Sequence, residues 1–335
     1  MHKIKSWYID FLEKENLNPG ETVLSHVLWL LSLIYAAIIS ARNFLYSSKI
    51  FPVYKSDKKV ISIGNLSWAG SGKTTLALLL HAKISALRKL SVLRRGYGQD
   101  EEELLKEKGV KVFSSIDRVG LVKKFSGDFD LFILDDGFQY RKLGRDINIV
   151  VMGERELRKK WRLLPAGIFR EPLSALARAD ILIINYKDDA DNFIEAKNRF
   201  HSKYPNLSIY GAYYKFKCIS DLNGKDIDLS FLKDKKIAAL AAIGYPQGFF
   251  NQIEKAGIKI TEAMTYPDHY EFSRLEFNAL EKRLKNNGID HCLITRKDKY
   301  HLSAGNHKIN FYIFEIEMVI DEENKFLDEI RQKIS

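Results

Sequence analysis

Cysteine is nearly missing from this chain: 335 residues carry two, Cys218 and Cys292. Two thiols build neither a disulfide framework nor a four-ligand zinc site, so both read as packed side chains of a cytosolic protein. There is no internal repeat and no low-complexity tract. A composition of 46% hydrophobic and 29% charged residues excludes a disordered chain, a collagen-like fibre and a multi-span membrane protein. The length predicts about two domains. What the chain has in excess is positive charge. Lys and Arg number 53 against 43 Asp and Glu, a formal net charge of +10. Such an excess fits an anionic partner: phosphate ligands, nucleic acid or an acidic membrane surface. Charge alone does not choose among them, and no recognised nucleic-acid motif is present.

Charge of either sign is absent from one stretch. Residues 22–41, TVLSHVLWLLSLIYAAIISA, contain no Asp, Glu, Lys or Arg. As a helix this stretch is ~30 Å long, about the thickness of a bilayer core. Asp10, Glu13, Glu15 and Glu21 precede it, which argues against a cleaved signal peptide. Thr22, Ser25, His26, Ser32 and Ser40 form a weakly polar stripe on the helical wheel. Three readings compete: a transmembrane helix, a helix in the membrane interface with its polar stripe on protein, and a buried core helix. The interfacial reading is preferred. Trp7, Tyr8 and Phe11 precede the stretch and Arg42, Lys49, Lys55, Lys58 and Lys59 follow it, and such side chains suit headgroup contact.

After Pro52 the pattern becomes α/β. KKVISIGNL reads as a strand running into a glycine-rich loop, and residues 74–87 have helical period. LSVLR, VKVFSS, DLFILDD, DINIVVM and DILIINY read as further strands, and EEELLKEKG as a short helix stopped by Gly109. Strands alternating with helices predict a doubly wound parallel sheet, and the glycine-rich loop set between the first strand and its helix makes that sheet P-loop NTPase-like. From about residue 206 the text changes. SIYGAYYKFKCIS alternates like a two-stranded ribbon, and a second, smaller α/β lobe follows. The expected organisation is a membrane-associating helical segment at 1–50, a P-loop core at 51–208, a ribbon hinge at 209–219 and a C-terminal lobe at 220–335.

The sharpest chemical signal is Ser67-Trp-Ala69-Gly70-Ser71-Gly72-Lys73-Thr74, with Thr75 next, set between a strand and a helix. Glycines let backbone N–H groups turn inward around phosphate oxygens, and the following helix N-terminus adds partial positive charge. Lys73 reaches the β- and γ-phosphates of a nucleotide, and Thr74 offers its hydroxyl to Mg²⁺. The usual first glycine is replaced by Ser67. LFILD, ending in Asp135 and followed by Asp136, is an apolar strand that delivers carboxylates to the sheet edge where Mg²⁺ ligation needs them. A guanine-reading Asn-Lys-x-Asp is not present; Asn185-Tyr-Lys-Asp188 has the wrong order.

These elements in this order resemble the tetraacyldisaccharide 4′-kinases of lipid A synthesis. GNLSWAGSGKT resembles that family's phosphate loop, which carries Thr at the place held here by Ser67. RRGYG (94–98), DDGFQYRKLGRD (135–146), LLPAGIFREP (163–172), AAIGYPQGFF (241–250), YPDHYEF (266–272) and LITRKD (293–298) resemble further family blocks. Ala69 replaces a family glycine, Thr75 a proline and Arg296 a glutamate. QDEEELL (99–105) has Gln99 for glycine and follows the Arg-Gly-Tyr turn without the family's longer intervening segment. The resemblance implies transfer of the ATP γ-phosphoryl to the 4′-hydroxyl of a lipid A disaccharide precursor. The expected setting is the cytoplasmic face of the bacterial inner membrane, with a peripheral or monotopic monomer that contacts membrane lipids and no nucleic acid. It implies that Asp100 accepts the hydroxyl proton, that His269 pairs with Asp100, and that Lys73 completes the catalytic set. Glu101 joins Thr74, Asp135 and Asp136 as a candidate metal ligand, and Arg118 and Arg170 suit phosphate contacts. With His269 beyond the ribbon and the phosphate loop before it, the active site is expected in an interlobe cleft. The alternative is a membrane-bound P-loop nucleotide switch without a sugar acceptor, distinguished by slow hydrolysis that needs no acceptor.

Overall fold

A computed structural model describes residues 7–8, 11–12, 14, 16–68, 70–96, 98–153, 156–157, 161–186, 190–267, 270–302 and 307–335. The first long element is helix α1 (Pro19–Ser47). Asn18 caps it: the Asn18 side chain accepts from the Glu21 N–H at 2.8 Å and the Glu21 carboxylate accepts from the Asn18 N–H at 2.9 Å. With Pro19 at the first position this reciprocal box fixes where the helix starts. By length and composition α1 is long and apolar enough to cross a membrane. It is not a core helix, since only 11% of its most apolar window is buried. Nor does the whole polar stripe face protein. Ser32 and Ile39 are buried and Tyr35 half-buried, whereas Thr22, His26 and Ser40 are exposed. The side that docks follows the i, i+3/i+4 rule through Ser32, Tyr35 and Ile39, and Ser40 has rotated off it.

The P-loop core follows as β1 (Lys59–Gly64), α2 (Lys73–Ile84), β2 (Leu90–Arg94), α3 (Gln99–Glu107), β3 (Val112–Ser114), α4 (Arg118–Phe125), β4 (Leu131–Asp135), β5 (Ile147–Gly153), β6 (Ile181–Asn185) and α5 (Ala190–Lys203). Strands β1, β2, β4 and β6 are buried at all or nearly all positions. That is why they read as continuous apolar runs: helices cover both faces of a parallel sheet.

The stretch 208–221 is one strand, not a two-stranded ribbon by itself. It forms β7 (Ser208–Asp221), followed by β8 (Asp226–Ile227), the single-turn α6 (Ser230–Lys233), β9 (Ile237–Ala241), α7 (Pro246–Lys255), β10 (Ile260–Thr265), α8 (Arg274–Asn286), β11 (His291–Ile294), β12 (Asn310–Ile320) and α9 (Glu323–Ile334). The interior of the stretch carries no two-residue turn signal, so the chain stays extended over 14 residues. Its partner comes from far along the chain: β12 runs antiparallel to β7 from Tyr312↔Asp221 to Ile320↔Ala212.

All strands lie in one sheet of order β10-β9-β11-β12-β7-β6-β5-β1-β4-β2-β3, with β8 on the side of β7. Strand β7 pairs parallel with β6 at one end and antiparallel with β12 at the other, so the β7–β12 ribbon joins two parallel half-sheets. Helix α9 lies within the 220–335 stretch expected to form the second lobe, yet it packs on the first. Phe326, Leu327, Ile330 and Ile334 enter the same apolar cluster as Ile61, Leu76 and Ile149.

Candidate active site

The phosphate loop leaves β1 at Gly64 and enters α2 at Lys73. Gly72 closes it in the left-handed region at φ 94°. A Cβ at Gly72 would drive into the hydroxyl of Tyr214 on β7 and the methyl of Met318 on β12, so glycine is required there for two independent reasons. Ser67 is buried; its hydroxyl donates to Glu156 at 2.5 Å. Ser71 and Thr74 are also buried, and the Ser71 hydroxyl has no hydrogen-bond partner among the described residues. Gly70 has open space around its Cα, and Thr75 lies against the Tyr214 hydroxyl. Ala69 and His269 fall outside the described residues.

Strand β4 is the neighbour of β1, in register at Ile63↔Asp135. The two strand ends therefore deliver the loop and the carboxylates side by side. Asp135 is buried, accepts from Arg94 Nε at 2.9 Å through Oδ2, and keeps Oδ1 without a partner. Burial raises its pKa despite the adjacent Arg94. Asp136 behaves differently. It turns out of the strand at φ 53° and is held by Arg170 in two-pronged fashion, Nη1 to Oδ2 at 2.9 Å and Nη2 to Oδ1 at 2.8 Å. Lys73 Nζ lies 3.7 Å from the same carboxylate. Burial opposes ionisation, but the Arg170 hydrogen bonds and the Lys73 charge outweigh it and hold the group far below the usual carboxylate range. The buried Arg118 stacks on Tyr140 at 3.9 Å and donates to the Asp136 carbonyl at 3.4 Å.

Asp100 and Glu101 open α3, where three acids in the first turn complement the helix dipole. Asp100 is buried and lies 3.8 Å from Nε2 of His301. Glu101 sits between Arg94 and Lys297, with Lys297 Nζ at 2.5 Å. Burial pushes its pKa up, but Lys297 and Arg94 push it down further, and the net shift is downward. Arg94 thus spans Asp135 and Glu101, Lys297 extends that bridge, and the Lys73–Asp136 pair sits beside it at the end of β4. Among the described residues no cluster of three or more His, Cys, Asp or Glu side chains forms a metal cage by itself. Sequence reasoning missed Glu156, Arg94, Lys297 and His301 as members of this site. The Arg-Gly-Tyr turn and the LITRKD block did flag the neighbourhoods of Arg94 and Lys297, but no local pattern marks Glu156 or His301.

The sequence profile of the tetraacyldisaccharide-1-P 4′-kinase family matches residues 24–335. A tetraacyldisaccharide 4′-kinase from Aquifex aeolicus is 34% identical over 72% of this chain and 81% of that protein. One from Halothermothrix orenii is 27% identical over 94% of each. The crystal structure of the Aquifex aeolicus LpxK in complex with ATP superposes with a TM-score of 0.71 and 29% identity, covering 93% of this chain and all of that one. A phosphate loop, paired carboxylates and an acidic helix on one sheet edge, matched over this length, place the chain in the tetraacyldisaccharide 4′-kinase family.

Proposed function

We infer that this chain transfers the γ-phosphoryl group of ATP to the 4′-hydroxyl of a tetraacyldisaccharide 1-phosphate, working at the cytoplasmic surface of the bacterial inner membrane with Asp100 as the proton acceptor. The observation that carries the reading is the convergence of Lys73, Asp135, Asp136 and α3 in a chain of this family. Arg118 and Arg170 gather on the Asp136 side of the same edge. The acceptor oxygen attacks the γ-phosphorus, the bond to the bridging β–γ oxygen breaks, ADP leaves, and the hydroxyl proton passes to the Asp100 carboxylate. Lys73 offsets charge that builds on the transferring group, and the loop N–H groups hold the phosphates in line. His269 is assigned by its motif to orient Asp100.

The residues present fit a magnesium ion. Asp135 Oδ1 is buried and unpartnered, and Thr74 sits beside Lys73 on the first turn of α2. Thr74 and Asp135 would hold the ion, with Asp136 and Glu101 close by, and it would neutralise charge on the β- and γ-phosphates.

Membrane association is supported by how α1 is mounted. The Tyr35 hydroxyl donates to the Arg170 carbonyl at 3.0 Å, and Arg42 and Asn43 each donate to Glu171 at 2.9 Å. One dipeptide, Arg170-Glu171, therefore holds Asp136 on one side and α1 on the other. An apolar helix seated in a bilayer would bring the reacting edge to the headgroup layer where a lipid acceptor resides. Residues 209–219, within β7, are read as the segment that joins the two half-sheets around the site.

The test is an acceptor assay. Protein, Mg-ATP and the disaccharide 1-phosphate in mixed micelles should yield a product heavier by one phosphoryl group by mass spectrometry. Lys73→Ala and Asp100→Ala should each lower the rate at least about a hundredfold. Full activity in Lys73→Ala would overturn the phosphate-loop assignment.

A further inference from the structure

The acidic helix that carries Asp100 is gripped from the other lobe. Between β11 and the start of β12, residues 296–301 lie along α3. Arg296 Nη1 is 2.8 Å and Lys299 Nζ 3.0 Å from Glu107, the last residue of α3, and the Tyr300 hydroxyl donates to the same carboxylate. Lys297 takes Glu101 and His301 approaches Asp100 at the opposite end of the helix. Five side chains of one short segment thus meet both ends of a nine-residue helix.

The segment is itself fixed. Asp298 is buried and accepts from the Ala242 N–H at 3.0 Å and the Thr295 hydroxyl at 2.6 Å. It is thereby pinned to the end of β9 and to the residue after β11. Arg296 is shared with Glu315 on β12, which also takes Lys108 at the end of α3. The contacts at Glu107 are strong enough to hold that carboxyl well below its ordinary value. Burial opposes the shift, but Tyr300, Lys299 and Arg296 together lower the pKa to about 2. Facing Glu107 and Glu315, a glutamate at position 296 would be repelled from both. Within its own lobe α3 is anchored by Leu105, which enters the first apolar cluster, and by Glu102, which accepts from the Ser114 hydroxyl; segment 296–301 adds the contacts at the two ends of the helix.

We propose that segment 296–301 is a clamp by which the second lobe positions the catalytic helix, with Arg296 acting through Glu107 as a positioning residue for Asp100 and Glu101. The proposal rests on reading Asp100 as the proton acceptor. It makes the catalytic geometry contingent on lobe docking: α3 holds its carboxylates in place while the clamp is made. Among the described residues Arg296 and Glu107 pair with each other, Glu315, Lys299 and Tyr300, none of them in the phosphate loop, so their loss should act on turnover and spare ATP binding.

Glu107→Gln and Arg296→Gln, made singly and together in the full chain, test it with Mg-ATP and the disaccharide 1-phosphate, well below the unfolding temperature of every variant. Each single substitution should lower kcat about tenfold while KM for ATP stays within about twofold. The double variant should lose less than the product of the two single losses, because both singles break the Arg296–Glu107 pair while Glu107 also loses Lys299 and Tyr300 and Arg296 also loses Glu315. Arg296→Lys should recover most of the rate. An unchanged kcat in the single variants, or losses that multiply in the double, would overturn the clamp. Asp100→Asn separates the two readings. Wild-type turnover in Asp100→Asn refutes the proton acceptor, whereas its loss beside an unaffected Glu107→Gln refutes the clamp alone.

Discussion

Gly72 shows how one atom is excluded from this site. Its φ of 94° lies where only glycine is at ease, and the space where a Cβ would point is filled by Tyr214 and Met318 from the ribbon. Gly72→Ala is therefore expected to cost on the order of 1–3 kcal/mol of stability. It should also weaken ATP binding at least about tenfold, since the loop N–H groups no longer converge. Calorimetric titration with ATP beside thermal unfolding measures both, and unchanged ATP affinity would show that the loop adapts. The loop residues were legible in sequence because their chemistry is local: glycine spacing, a lysine and a threonine all fall within one turn of chain. Asp135 was legible because an apolar strand ending in an acid is also a local pattern. Glu156 meets Ser67 across 89 positions and Lys297 meets Glu101 across 196. A single Glu or Lys in the sequence, even inside a recognisable block such as LITRKD, does not name a partner that far away, and only the fold supplies it.

Among the elements, α1 is the one whose surface conflicts most with water. Leu30 is 56% and Ile34 59% exposed, alongside Val23, Val27 and Ile38. Burying a side chain of this size in an apolar phase is worth about 1.5–3 kcal/mol. Leu30→Glu/Ile34→Glu should therefore reduce binding to phosphatidylethanolamine–phosphatidylglycerol vesicles at least about tenfold, read by co-sedimentation. The unfolding temperature should hardly move, because both side chains are more than half exposed and neither belongs to an apolar cluster. Undiminished vesicle binding would argue that α1 is not the membrane contact. The same physics explains which elements the sequence disclosed. Strands β4 and β6 are buried on both faces and so are apolar throughout, and α1 is apolar because so little of the protein covers it. The alternation of β7 predicts extended chain, yet the strand pairs with β12 and not with itself as a ribbon. Alternation reports that a strand has two unlike faces, not whether its partner lies next in sequence or, like β12, nearly a hundred residues on.

At the scale of the molecule, the ribbon and the last helix make the two lobes one mechanical object. Strands β7 and β12 belong to both half-sheets, and α9 returns the chain end to the core that begins at β1. A boundary drawn at a composition shift places α9 with its sequence neighbours. Its apolar face, however, is completed by Ile61, Leu76 and Tyr210 of the first lobe, and that burial decides where it sits. Phe326 is fully buried there and meets Tyr210 edge-on, with ring centroids 5.3 Å apart. Phe326→Ala should cost about 3–5 kcal/mol through lost transfer energy and the cavity left behind. If the lobes were independent, scanning calorimetry would show two transitions and only one would move. A sheet whose central strands are shared cannot lose one half without unpairing the other. The expected result is a single transition in both proteins, displaced to lower temperature in the variant. Its midpoint should rise with Mg-ATP, because the nucleotide binds only the folded loop. Two resolved transitions, with only the lower one sensitive to Phe326→Ala and to ATP, would mean that the ribbon is a tether between separately stable lobes.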